Sequence, residues 1–184
     1  KIKRIIMYKY TPMSKNKLKA LVKDENIYLG DIDTSNITDM SELFKYITRN
    51  FSGIEKWNVS NVKDMSGMFY GCYNFNQPLD SWDVSNVTNM EAMFASCENF
   101  NQDIGSWDVS NVTNMSKMFL GCENFNQPLN SWNIDDYTNT EDMFDNCNSL
   151  DADFSNWDVS NVTNMSNMFQ NCTSLKNKPS WYKY

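Results

Sequence analysis

The sequence predicts an α/β solenoid: six stacked 25-residue repeats with a parallel β-sheet and short helical turns, preceded by a β-α-β cap. Three observations predict it. Tryptophans recur every 25 residues, at 57, 82, 107, 132 and 157. Cysteines keep the same period at 72, 97, 122, 147 and 172, as do phenylalanines at 44, 69, 94, 119, 144 and 169. The nonapeptide WDVSNVTNM stands unchanged at 82–90, 107–115 and 157–165, with WNVSNVKDM at 57–65. A fixed period of this length marks stacked units, because one unit alone cannot bury its own apolar face.

Residues 1–31 lie outside the period and read as the cap. Ile5, Ile6 and Tyr8 suggest a strand, Ser14 can cap a helix bearing Leu18, Leu21 and Val22, and Ile27 to Leu29 suggests a second strand before Gly30. Six copies follow, 32–56, 57–81, 82–106, 107–131, 132–156 and 157–181, leaving 182–184 as a tail. Trp181, Tyr182 and Tyr184 either close the final rung or leave it exposed.

Inside a copy, Leu79, Trp82 and Val84 follow the L-x-x-L-x-L spacing of a leucine-rich-repeat strand, as do Ile104, Trp107, Val109 and Leu129, Trp132, Ile134. Alternate residues then face the core, and Ser81, Asp83 and Ser85 face solvent. Thr88 with Glu91, and Thr138 with Glu141, read as capping boxes opening a helical turn on which Met93, Phe94 and Cys97 face inward. Copy five departs, with Asp135, Asp136, Tyr137 and Thr140 in place of Ser, Asn, Val and Met, so a local irregularity is expected there.

The chain of 184 residues carries 16 Lys and Arg against 23 Asp and Glu. Residues 1–30 hold eight basic and two acidic side chains, so the repeats form an acidic body unsuited to nucleic acid. No apolar run reaches 18 residues, so no membrane insertion is expected. The chain opens on Lys1 without a leader pattern, and an export signal or lipid anchor is expected outside this stretch.

Catalytic chemistry is hard to assemble. There is no histidine to serve as a base for a thiolate, and a single cysteine per 25 residues offers no metal-binding pair. The cysteines read as small buried hydrophobes, and no cofactor, metal or enzyme activity is expected. Asp31, Asp33, Ser35, Asp39 and Glu42 imitate a calcium loop, but Asn36 replaces its required glycine, and all but Asp31 belong to the repeat.

Binding is the more promising chemistry. Asp33, Asn58, Asp83, Asp108, Asn133 and Asp158 form a column that reads chiefly as Asx turns and, alternatively, as a sheet face for a partner or cation. Columns eleven and fourteen vary between copies and are expected on the convex side, with Tyr70, Lys117, Leu120 and Asp145 as candidate specificity residues.

The consensus W-D-V-S-N-V-T-N-M-x-x-M-F-x-x-C-x-x-F-N-Q-x-L-x-S resembles the 25-residue repeat of mycoplasma and Listeria surface lipoproteins. Residues 10–44 are similar to the N-terminal unit of the mycoplasma family, and Met68-Phe69 with Cys72 resembles the BspA-type (Treponema-like) leucine-rich repeat. The resemblance implies a right-handed, leucine-rich-repeat-like solenoid. It further implies display at a cell surface through a lipid anchor, and non-catalytic adhesion to host or neighbouring-cell proteins. The alternative is a structural spacer of a surface lipoprotein that self-associates through its C-terminal rung.

Overall fold

The computed structural model describes residues 7–134 and 137–183. Helix α1 (Lys15–Lys23) precedes six stacked turns of chain, and short 3-10 turns lie at Leu29–Asp31 and Ile54–Lys56. Ser14 caps α1 by accepting from Lys17 N at 3.3 Å, and Leu18 and Val22 are fully buried.

The expected sheet is not formed. Among the described residues there is no β-strand; neighbouring copies meet in single-residue parallel pairings, Asp39 with Asp64, Asp64 with Asn89, and onward to Asn164. The segment from Leu79 to Val84 is turn and irregular chain. The β-α-β cap is likewise reduced to its helix. Ile27 to Leu29 leads into a 3-10 turn, Tyr8 is irregular, and the pairing of this segment is made by Tyr10 with Ile32. Ile5 and Ile6 lie outside the described residues.

The reason lies in where the backbone donors go. With the tryptophan numbered as column one, the N–H groups of columns nine, eleven, thirteen and fifteen point to the next copy. Met65 N donates to Asn89 O (2.9 Å), Gly67 N to Glu91 O (2.7 Å), Phe69 N to Met93 O (2.9 Å) and Gly71 N to Ala95 O (2.8 Å). The N–H groups that alternate with them, at columns twelve, fourteen and sixteen, turn back locally, Met68 to Met65 O, Tyr70 to Gly67 O and Cys72 to Phe69 O. A parallel ladder needs those intervening donors for its other neighbour, so local turns replace it.

The same pattern excludes the helical turn. Columns eleven and fifteen are left-handed, at Gly67 (φ 57°), Ala92 (φ 51°), Gly71 (φ 72°) and Ser96 (φ 58°). The capping boxes are also absent. Thr88 Oγ1 donates to Lys63 O at 3.2 Å and Thr138 Oγ1 to Val112 O at 3.1 Å. Glu91 N and Glu141 N donate to the Oδ1 atoms of Asn89 and Asn139, each at 3.0 Å. Asx side chains one residue after each threonine therefore set the turn.

Identical side chains fill the core at every rung. The Phe44, Phe69, Phe94, Phe119, Phe144 and Phe169 rings stack with centroids 5.3–5.7 Å apart. Each tryptophan indole N–H donates to a carbonyl one rung back, as in Trp82 to Ile54 O (3.1 Å) and Trp107 to Leu79 O (2.9 Å). Each cysteine thiol does likewise, Cys97 to Phe69 O and Cys122 to Phe94 O at 3.0 Å. Burial with the polar atom satisfied lets Trp and Cys repeat in a dry core.

Copy five is irregular at the expected place. Tyr137, where other copies bury Ile37, Val62, Val87 or Val112, is 71% exposed with φ 55°. Thr138 is buried there instead, and Thr140, also buried, donates to Asn164 O at 3.0 Å. Asp135 and Asp136 lie outside the described residues.

Candidate functional site

The Asp/Asn column two is a row of Asx turns. Oδ1 of Asp83, Asp108 and Asp158 accepts from the backbone N–H two residues on (3.0–3.1 Å) and from the hydroxyl of the same serine (2.6–2.7 Å). Asn58 does the same with Ser60, and Asp33 accepts from Ser35 N at 3.0 Å. The partner of Asn133 would be residue 135, outside the described residues. The serine hydroxyl, then the serine N–H, hold the carboxyls of Asp83, Asp108 and Asp158 below their usual pKa. These three side chains are exposed, and among the described residues no hydrogen bond engages their Oδ2 atoms. The carboxylates that imitate a calcium loop take separate partners: Asp31 pairs with Lys9 (2.6 Å), Asp39 with Lys15 (3.1 Å) and Glu42 with Lys45 (2.6 Å).

The variable columns assemble a second feature at copies one and two. Tyr46 stands in column fifteen, which elsewhere holds Gly71, Ser96, Gly121, Asn146 and Asn171. Glycine and asparagine enter the left-handed backbone most readily and Ser96 carries only a small side chain there (φ 58°), whereas Tyr46 adopts φ 59° with 65% of its surface exposed. Its ring lies over Gly71, where a Cβ would collide with Tyr46 Cδ1. It meets the Tyr70 ring edge-on at 5.3 Å. Lys45 Nζ sits 5.8 Å from the Tyr46 centroid and 5.5 Å from that of Tyr70. A shallow cleft of about 240 Å³ runs beside this cluster, between Glu42, Lys45, Ser66, Gly67, Tyr70 and Ala92 among others.

The other sequence candidates are separate from this cluster. Lys117 is exposed with φ 59°, and Leu120 is half-buried. Asp145 is half-buried, accepts from Asn171 Nδ2 at 3.2 Å, and has its pKa raised by burial.

Sequence reasoning missed Tyr46 because attention fell on columns eleven and fourteen. The signal was present, since a tyrosine stands alone in a column of glycine, serine and asparagine. It also missed Arg49, which is buried and donates to Val22 O (2.6 Å), Asp24 O (3.3 Å) and Ile27 O (2.6 Å), gripping the end of α1.

The five thiols are free and buried. Burial pushes Cys72 up to about 12 and Cys172 to about 11, and raises Cys97, Cys122 and Cys147 well above the ordinary range.

No curated protein and no solved structure matches the chain. A family model described as a mycoplasma protein of unknown function, DUF285, matches residues 13–108 and again 79–182, the two matches overlapping across the repeats. Stacked copies sharing one set of columns explain why one model fits twice. The chain belongs to this mycoplasma repeat family, DUF285.

Proposed function

We propose that the protein is a non-catalytic binding module that recognises a protein partner through the Tyr46–Tyr70–Lys45 cluster, with the Asx column as a second, repetitive face. The observation that carries this reading is Tyr46. A tyrosine held left-handed costs on the order of 1–2 kcal/mol relative to glycine, and its exposed ring recovers little of that by burial. Strain retained at an exposed aromatic is typical of recognition sites, and tyrosine is among the residues that anchor protein interfaces. Lys45, oriented by Glu42 and lying near both rings, adds a positioned charge.

We place the module at a cell surface by extending the resemblance of its repeat to bacterial surface proteins, and kinship to the BspA type rests on the Met-Phe and Cys spacing alone. The test is saturable binding of the chain to host cells and extracellular-matrix proteins. Tyr46→Ala with Tyr70→Ala should weaken binding at least about 30-fold, in line with loss of an aromatic anchor, while leaving the unfolding midpoint close to wild type. Replacing Asp83, Asp108 and Asp158 by Ala reports on the second face. No saturable binding where control adhesins bind would end this reading.

A further inference from the structure

One strip of the surface carries side-chain amides whose orientation the fold fixes. In column twenty, Oδ1 of Asn76 accepts from Asn101 N (2.9 Å) and from Gln102 Nε2 (3.0 Å) of the next copy. Asn101 repeats both bonds with Asn126 N (2.9 Å) and Gln127 Nε2 (3.0 Å), and Asn126 Oδ1 accepts from Asp151 N (2.9 Å). An amide whose oxygen is taken in this way turns its nitrogen to the other side. Among the described residues no hydrogen bond engages Nδ2 of Asn76, Asn101 or Asn126, or Oε1 of Gln102 or Gln127, and the three asparagines are exposed. The strip therefore sets open donors at copies two to four beside open acceptors at copies three and four. It is bounded within the chain. Phe51 and Ser52 stand in these columns in copy one, and in copy five Ala152 follows Asp151, whose carboxylate is paired with Lys176 at 2.9 Å.

We infer that this strip binds a neutral, extended 1,4-linked glycan, one sugar to each rung. Sugar hydroxyls both donate and accept, so they match rows of opposite polarity lying side by side. The rungs are 5.3–5.7 Å apart, measured between the stacked phenylalanine rings. An extended, equatorially linked pyranose chain advances by one ring and one bridging oxygen per sugar, close to that height, and so stays in register. An extended peptide does not, because its like groups recur on one side every ~6.7 Å, a slip of about 1 Å per rung. Anions are disfavoured by Glu98, Asp103 and Glu123, which are exposed in the same loops. Tyr73, 53% exposed, borders the strip at copy two, where its carbonyl accepts from Asn99 Nδ2 at 2.8 Å, and its ring offers a face to the apolar side of a sugar. A second copy of the chain is the weaker occupant, since amides and carboxylates dominate the strip whereas interfaces between copies of a chain close round an apolar core.

The test measures binding of the whole chain to the series from cellobiose to cellohexaose. Maltohexaose, whose α linkages coil the chain, and β-1,4-linked hexamannuronate, which is extended but anionic, serve as comparisons. The expected result is saturable binding of the cello-oligosaccharides that strengthens up to cellotetraose and then levels off, with NMR shifts at the side-chain amides of Asn76, Asn101 and Asn126. Asn76→Asp with Asn101→Asp and Asn126→Asp should weaken binding about tenfold or more, because each open donor becomes an acceptor. Asp151 shows that a carboxylate keeps the bond between rungs, its Oδ1 accepting from Lys176 N at 3.1 Å. Asn101→Asp alone should act in the same direction and replaces the triple variant if that fails to fold. Absence of saturable binding, equal binding of maltohexaose or hexamannuronate, or unchanged affinity in the Asp variants would overturn the proposal. So would a concentration-dependent dimer that shifts the same amides without sugar. Because the strip shares no residue with the Tyr46–Tyr70 cluster, their double alanine variant should bind the sugar normally whatever becomes of the host-binding reading.

Discussion

A side chain carrying a Cβ is strained in the left-handed region, and the repeat places such residues at columns eleven and fifteen of nearly every copy. Ala92, at φ 51°, occupies the place that Gly67 fills one copy earlier. Ala92→Gly should therefore stabilise the protein by about 0.5–1 kcal/mol, the reverse of the usual cost of glycine, as read from urea unfolding. Gly71→Ala should do the opposite by more than 1 kcal/mol, and part of that loss should disappear in a Tyr46→Ala background, because the tyrosine ring is what the new methyl meets. The Asx column makes a different prediction. The folded carboxyls of Asp83, Asp108 and Asp158 titrate below their unfolded values, so their stabilising contribution is present above the unfolded pKa and fades as pH falls through the folded one. Replacing all three by Asn keeps the Oδ1 acceptor and should flatten the loss of stability between about pH 5 and pH 2. A variant with an unchanged slope would remove these groups from the acid response.

At the scale of elements, α1 was legible and the sheet was not. Ser14 followed by an apolar stripe at Leu18 and Val22 is a local signal, and local signals decide a helix. Leu79, Trp82 and Val84 do face inward, as the L-x-x-L-x-L spacing requires, yet inward-facing residues do not dictate strand hydrogen bonding. That depended on the Asp, Asn and Ser between them, which draw backbone donors into turns two residues away. The capping boxes failed for a related reason: the asparagine after each threonine captures the N–H that a capping threonine needs nearby. Arg49 joins α1 to the stack in a way no periodicity could reveal. Arg49→Met should cost roughly 3 kcal/mol or more, since it frees four carbonyls, that of Asn50 included, from a charged donor. Arg49→Lys should recover only part of this, because an ammonium lacks the planar fork. Helical circular dichroism and urea midpoints would show both; unaltered stability in the Met variant would deny Arg49 its clamping role.

For the whole molecule, the six-copy organisation and the identity of the core columns could be read from the sequence, whereas the polarity of the stack could not. Period and residue type fix which side chains repeat; they do not say which way each amide points. The buried columns also set an accessibility rule. Thiol reagents at pH 8 should leave all five cysteines unmodified in the folded protein, with Cys172, 8% exposed on the last rung, the first to react as denaturant is raised. Early labelling of the interior Cys97 or Cys122 would contradict the packing described above. Since each interface between copies is written in the same backbone bonds and the same ladder contacts, length becomes a variable that the chain can change without redesign. Deleting residues 82–106 joins Ser81 to Trp107, restoring the Ser-Trp junction found at both original boundaries. Such a five-copy protein should still unfold cooperatively, while a deletion one residue longer or shorter should not, so that gain or loss of a whole copy is a conservative change and a single-residue slip is a drastic one.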